Sequence, residues 1–304
     1  MIEPRRLTLY IEPQYAGKSV DTLLRHVLHL SGSGVRRAKR ISNGITLDGS
    51  LVYTNVLAQE GQTLSVQVGD SCNRQAVAPK SGPTSIVYED EDLIVLDKNA
   101  PLPVHPSMGH PNETLANYVM YYYQTIGLLA EFHPVNRLDR GTSGLMVVAK
   151  HAHAHERLSQ TLHSGSFQRE YLAVCEGVPS PMAGRIDAPI GRIPGSVLLR
   201  EVRADGASAC TQYQVKCSDS RRSLVSLKLE TGRTHQIRVH MQSIGCPLVG
   251  DFLYGEEVDE LPGRVALHAA QLELLHPISG KQLSFTSPLP SKLSALLSAK
   301  SKEG

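Results

Sequence analysis

Residues 133–150 read HPVNRLDRGTSGLMVVAK. A polar run punctuated by Gly141 and Gly144 gives way at Leu145 to five apolar residues, which reads as a loop feeding a buried strand. Working outward, IVYEDEDLIVLDK (86–98) places turn-forming acids between two apolar runs and predicts a hairpin. EYLAVCEG (170–177) predicts a second buried strand. LVSLKLE (224–230) alternates, with Val225, Leu227 and Leu229 on one face. Helical spacing marks Leu115, Val119 and Tyr122, with Asn112 as cap and an end near Gly127; it returns after Thr234 in Ile237, Met241 and Ile244. Strand and helix signals mix without a regular βαβ rhythm. The fold class is therefore α+β, with a mixed or mostly antiparallel central sheet rather than a doubly wound parallel one.

The N-terminal segment reads as a separate small α/β module. Val20, Leu23, Leu24, Val27 and Leu28 fall at helical spacing behind a possible Ser19 cap. Residues 31–34 (SGSG) then break the helix, and a short basic helix runs from Val35 to Ile41. ITLDG and TLSVQV follow as short strands. Residues 71–84 lack periodicity and hold two prolines. The division drawn is a module over 1–75, a linker over 76–84 and a main domain over 85–304.

The 304 residues are 41% hydrophobic and 20% charged, a globular composition. No apolar run approaches the roughly 18 residues of a membrane span, and the N-terminus has no signal-peptide core. Five scattered cysteines without CxxC spacing argue against a disulfide framework or a structural zinc and fit a reducing cytoplasm. The net charge of +2 conceals an asymmetry: residues 1–80 hold ten Lys/Arg against six Asp/Glu. Arg36, Arg37, Lys39 and Arg40 lie in an acid-free stretch between Asp21 and Asp48. Such a segment suits a polyanion, although a solvated helix face would look the same.

Two stretches concentrate functional groups. In the first, Asp139 stands between Arg137 and Arg140. Neighbouring guanidinium groups favour an ionised carboxylate, which can act as nucleophile or base, or simply pin the loop as an ion pair. The second, residues 230–240, runs from a strand end through Gly232 into a helix start. Free backbone N–H groups beside Arg233 make an anion site there, with His235 and Arg238 three apart on one face; ordinary capping is the alternative. His151, His153 and His155 alternate. On a helix His153 would point away from the other two and no acidic ligand spacing follows, so no metal site is expected. Ser143 in GTSG is not a nucleophile elbow, and no P-loop or dinucleotide-binding glycine pattern occurs. Tyr171 opens an apolar strand just after Arg169, a position that suits a core tyrosine or a base-stacking one.

Taken together, several segments resemble the RluA-type pseudouridine synthases: YEDEDLIVLDK, HPVNRLDRGTSGLMVVAK, REYLAVCEG, LETGRTHQIRVHMQSIGCPLVGDFLYG, and ALHAAQLELLHPISG with FTSPLP. They occur in family order across most of residues 84–290. The N-terminal module is similar to the small RNA-binding module that often precedes this catalytic domain. The resemblance implies isomerisation of uridine to pseudouridine in ribosomal or transfer RNA, without cofactor or metal. It makes Asp139 the essential catalytic residue and Tyr171 the residue packing on uracil. Arg233 becomes the basic partner of the carboxylate, and Arg137 the residue filling the gap left by the flipped nucleotide. Arg140, His235 and Arg238 are expected to contact RNA, as are the four cations at 36–40. Asn136 stands where histidine is more usual. A monomer that engages no membrane is expected. The rivals are a non-catalytic RNA-binding or ribosome-assembly factor and a hydrolase using the histidine run.

Overall fold

The structure is a computed structural model that describes residues 2–70, 77–162 and 164–298. Its first unit comprises β1 (Arg6–Tyr10), α1 (Val20–His26), α2 (Gly32–Ala38), β2 (Ile45–Leu47), β3 (Ser50–Leu51) and β4 (Thr63–Gln67). The strands form an antiparallel sheet in the order β1-β4-β2-β3. Leu7, Ile11, Leu23, Leu24, Val35 and Leu64 make a separate core between that sheet and the two helices. Ser19 caps α1 through Thr22 N, but the helix stops at His26, and His29 takes a left-handed φ of +55°. The SGSG tract begins α2 rather than breaking a helix. Ser31 Oγ accepts from Gly34 N at 3.1 Å, and that cap outweighs the poor helix propensity of two glycines. The helix ends at Ala38, so Lys39 caps it and Arg40 lies past its end.

The second unit carries β5 (Ile86–Glu89), β6 (Leu93–Lys98), α3 (Leu115–Thr125), β7 (His133–Pro134), β8 (Ser143–Ala149) and α4 (Ala152–Thr161). It continues through β9 (Gln168–Glu176), β10 (Ala183–Asp187), β11 (Ile190–Arg192), β12 (Arg200–Val202), β13 (Cys210–Ser218) and β14 (Arg222–Leu229). It closes with α5 (Gln236–Ser243), β15 (Leu267–Leu275), β16 (Gln282–Thr286) and α6 (Ser291–Ser298). One sheet runs β10-β13-β14-β9-β15-β8-β6-β5, with β7 on β8 and β16 on β15. Among the described strands the β8–β15 pair is parallel and the remaining pairs are antiparallel, so the sheet is mixed and mostly antiparallel. Thr114, not Asn112, caps α3. Its hydroxyl and the Asn117 side chain each accept from the other's backbone N–H, and both residues are fully buried.

The parallel pair fixes the loop that holds Asp139. At its start Ser143 and Gly144 pair with His268 and Ala269. Gly144 has φ +111°, and a Cβ there would stand 2.3 Å from Ala269 O; only glycine fits this approach. Lys98, at the end of β6, is fully buried and donates from Nζ to the carbonyls of Leu102, Asn99 and Arg140 at 2.9, 3.0 and 3.4 Å. It thus ties the 99–102 turn to the Asp139 loop.

The two units are docked by polar contacts. Arg5 Nε donates to Asp92 Oδ1 at 2.9 Å, and His151 Nε2 meets the same oxygen at 3.0 Å. Asp70 accepts from Glu131 N at 2.9 Å and pairs with His133 at 3.1 Å. Ser31 Oγ donates to Glu156 at 2.7 Å. The boundary drawn between residues 75 and 76 falls beside or within residues 71–76, outside the described residues; from Ala78 to Lys80 the chain is held on α3 by Asn117. Cys175, Cys210, Cys217 and Cys246 are free thiols. Among the described residues no helix is long and apolar enough to cross a membrane.

Candidate active site

A cleft of about 480 Å³ opens over the start of β8 and of β9, walled by the 134–142 loop on one side and the 232–238 segment on the other. Asp139 is the one carboxylate among the described residues that line it, against four guanidinium groups: Arg137, Arg169, Arg233 and Arg238. A single anion inside a cationic cleft suits a polyanionic substrate whose reacting atom must meet a carboxylate.

Asp139 is partly exposed, and its cationic neighbour is Arg238, with Nη1 at 3.4 Å from Oδ2. Arg238 is 3% exposed and binds Asp251 through Nε and Nη2 at 2.8 and 2.7 Å, a bidentate fork. Burial alone would lower the Arg238 pKa, but the Asp251 hydrogen bonds and charge, joined by Asp139, hold it above the ordinary value. The guanidinium also lies 5.0 Å from the Tyr254 ring centroid. His235 Nε2 stands 3.9 Å from Asp139 Oδ2, while its Nδ1 pairs with Tyr254 Oη at 2.8 Å. Burial pushes the His235 pKa down against the opposing pull of Asp139. Burial thus favours the neutral imidazole of His235, and Arg238 carries the positive charge beside the carboxylate.

In this arrangement Arg238, not Arg233, is the arginine in contact with Asp139. Arg233 lines the cleft, but its Nε donates to Ser208 O at 2.9 Å and it makes no ion pair with Asp139. The sequence points to Arg233 because it stands in the glycine turn. The helical register instead aims Arg238, one turn into α5, back at the loop. His235 and Arg238 share a face less simply than their spacing implies, since His235 is the left-handed N-cap residue of α5 with φ +59°; both nonetheless reach Asp139. Tyr171 is buried on β9 with its ring in the cleft wall, and burial raises its pKa, so it stays protonated. Arg137 is exposed at the rim, and Arg140 is exposed just beyond.

Arg36, Arg37 and Arg40 line a different cavity, about 630 Å³, between α2 and the main sheet unit; Lys39 is exposed nearby. His133 lines that cavity and Pro134 the Asp139 cleft, so adjacent residues of β7 border one each.

The histidine run has structural roles. His151 Nδ1 accepts from Ala154 N as the N-cap of α4, leaving Nε2–H for Asp92. His153 stacks on His151 with ring centroids 6.3 Å apart, and His155 faces His133. His151 precedes the helix, so the three rings are not disposed as three helical residues would be. Asp90, Asp92 and His276 approach one another at metal-like spacing. There His276 Nδ1 accepts two backbone N–H groups, so Nε2 carries the proton and donates to Asp90 rather than offering a lone pair.

Sequence reading passed over Asp251, Tyr254, Lys98 and Arg169. The first two lie in the DFLY stretch, where a carboxylate following Gly250 is the one available signal. Burial sets Lys98 apart: it lowers the amine to about 7, with Asp139 opposing and Arg264 reinforcing. Asn136 Nδ2, Thr142 Oγ1 and Arg169 Nε are buried without a partner among the described residues, and all three belong to residues lining the cleft. The wall of the cleft is thus where unmet hydrogen-bonding capacity collects.

A family model described as RNA pseudouridylate synthase matches residues 92–243, which hold the Asp139 loop, Tyr171 and α5. The RNA pseudouridine synthase YjbO of Bacillus subtilis is 42% identical over 253 residues, covering 83% of this chain and 89% of its own length. The ribosomal large subunit pseudouridine synthase D of Xanthomonas campestris pv. campestris is 38% identical over 298 residues, covering 93% of this chain and 89% of its own. Of the solved structures, human RNA pseudouridylate synthase domain containing 1 aligns with a TM-score of 0.57 at 26% identity, over 73% of this chain and 98% of its own. Sequence, fold and cleft agree: the chain belongs to the RNA pseudouridine synthase family, the enzymes that isomerise uridine in RNA to pseudouridine.

Proposed function

We propose that this enzyme acts on a uridine of large-subunit ribosomal RNA, with Asp139 as the catalytic carboxylate. The observation that carries the site assignment is the single carboxylate, among the described residues, in a cleft with four guanidinium groups. The choice of RNA rests on the relative named for the ribosomal large subunit, whose match extends over the N-terminal module as well.

The reaction breaks the bond between ribose C1′ and uracil N1, turns the ring and forms a bond from C1′ to C5; the C5 proton leaves and N1 gains one. Asp139 supplies the carboxylate oxygen at the sugar–base junction, oriented by the Arg238 guanidinium 3.4 Å away. Tyr171, protonated, packs on the uracil and presents a hydroxyl for proton relay. The target must leave its stack, at about a few kcal/mol, and Arg137 at the rim occupies the space it vacates. Arg140, Arg233 and His235 border the strand. Residues 1–75 form an RNA-binding module, with Arg36, Arg37, Lys39 and Arg40 on phosphates, residues 76–84 the linker and residues 85–304 the catalytic domain. The enzyme works as a cytoplasmic monomer, with no cofactor among its reactants.

Pseudouridine mapping by carbodiimide stops, in cells with and without the gene, tests the choice of RNA. One or a few stops in large-subunit ribosomal RNA are expected to vanish and to return on complementation. Loss confined to transfer RNA would overturn the ribosomal assignment.

A further inference from the structure

On β9, Arg169 and Tyr171 lie two residues apart and so project from the same face of the sheet, about 7 Å apart along the strand. Glu170, between them, faces the other way and pairs with Lys228 and Ser226 of β14. Arg169 is 8% exposed, yet its side chain makes no ion pair or hydrogen bond among the described residues, and its Nε is buried without a partner. Its guanidinium lies 5.6 Å from the Phe167 ring centroid and directly under Gly232, where a Cβ would stand 3.5 Å from Nη1. Arg169 also lines both the catalytic cleft and a neighbouring cavity of about 510 Å³.

A buried guanidinium without a counter-ion carries a desolvation cost that an incoming anion offsets. Three carboxylates, Glu170, Glu230 and Glu273, line the neighbouring cavity, and none pairs with it. They also repel a phosphate from that side, so the anion must reach Arg169 from the catalytic cleft. We propose that Arg169 is a phosphate seat for the RNA backbone, binding the phosphodiester next to the uridine whose base lies on Tyr171. The planar fork of arginine suits two phosphate oxygens, and one nucleotide spans the distance between the two side chains. Gly232, with no side chain, puts no Cβ against Nη1 on that side of the guanidinium. The proposal rests on the RNA-isomerase reading of this cleft but not on which RNA is the target.

The test uses the full chain and total RNA from cells lacking the gene, with conversion at the target uridine followed under single-turnover conditions. Arg169→Gln is expected to raise the half-saturating enzyme concentration roughly ten-fold or more, with a smaller change in the saturated rate. The slope of log half-saturation against log salt should fall by about one. Arg169→Lys should keep the wild-type slope. Gly232→Asp supplies the missing counter-ion without removing a core side chain, and should lose the same unit of slope. A wild-type slope in both Arg169→Gln and Gly232→Asp would overturn the proposal. A target in another RNA would displace the ribosomal assignment while leaving these comparisons intact. A readout without RNA is the rise in melting temperature given by inorganic phosphate over chloride at equal ionic strength. That rise should be smaller in Arg169→Gln and Gly232→Asp than in wild type and Arg169→Lys; an equal rise in all four contradicts the seat.

Discussion

The position of Asp139 is set by its neighbours. Arg238 reaches it with one nitrogen while two others hold Asp251, which is fully buried and also accepts from the backbone N–H groups of Leu253 and Tyr254. Removing the guanidinium strands a buried carboxylate. Arg238→Met is therefore expected to destabilise the protein by about 3–5 kcal/mol in urea unfolding, the cost typical of a broken buried pair. Adding Asp251→Asn should recover much of that loss while turnover stays low; a fully restored rate would show that Arg238 acts on the fold alone. The sequence made Asp139 and Tyr171 legible because a carboxylate between arginines and an aromatic after a cation are local patterns. It could not show which arginine of residues 230–240 turns back to Asp139, because the left-handed cap at His235 and the register of α5 decide that. The unpartnered state of Arg169 is illegible in the sequence for a related reason: an orphaned donor exists only once the surroundings are assembled.

At the scale of elements, β8 does most of the positioning. It runs beside β15 in parallel register and is tied at its start by Gly144, so the polar loop before it must open at the end of the sheet. That much follows from an apolar run after a glycine-punctuated loop, and strands β5, β6, β9 and β14 follow from their own patterns. The ends of the helices were less legible, because side-chain caps decide them. Thr114 displaces Asn112 through a reciprocal bond with Asn117, and Ser31 starts α2 at a glycine. The exposed arginines of α2, with Arg40 past its end, line a cavity of their own, with His133 of β7 in its wall. Replacing Arg36, Arg37, Lys39 and Arg40 together by Gln should lower the salt slope of RNA binding by about three, given a slope of roughly 0.7–0.9 per phosphate contact. An unchanged slope would mean that this face is merely solvated.

For the whole molecule, the histidines and carboxylates between the two units set the response to acid. Burial, reinforced by His151 and Arg157, pushes His153 down to about 4. The unfolded chain takes up this proton near pH 6.5 and the folded one near 4. Stability is therefore greatest above 6.5 and declines as pH falls to about 4, by up to about 3 kcal/mol from this group. For Asp92, burial opposes ionisation, but hydrogen bonds from His151 and Arg5 hold the carboxyl down at about 2. Its contribution is present above the ordinary carboxylate range and is lost as pH falls through 2. Urea midpoints should thus drop in two successive windows. His153→Gln should flatten the upper window and Asp92→Asn the lower; unaltered profiles would contradict these assignments. The central claim, that Asp139 performs the isomerisation, is tested most directly by purified Asp139→Asn acting on transcribed large-subunit ribosomal RNA. The account predicts wild-type RNA affinity and melting behaviour with no detectable pseudouridine at the position that wild type converts; conversion near the wild-type rate would contradict it.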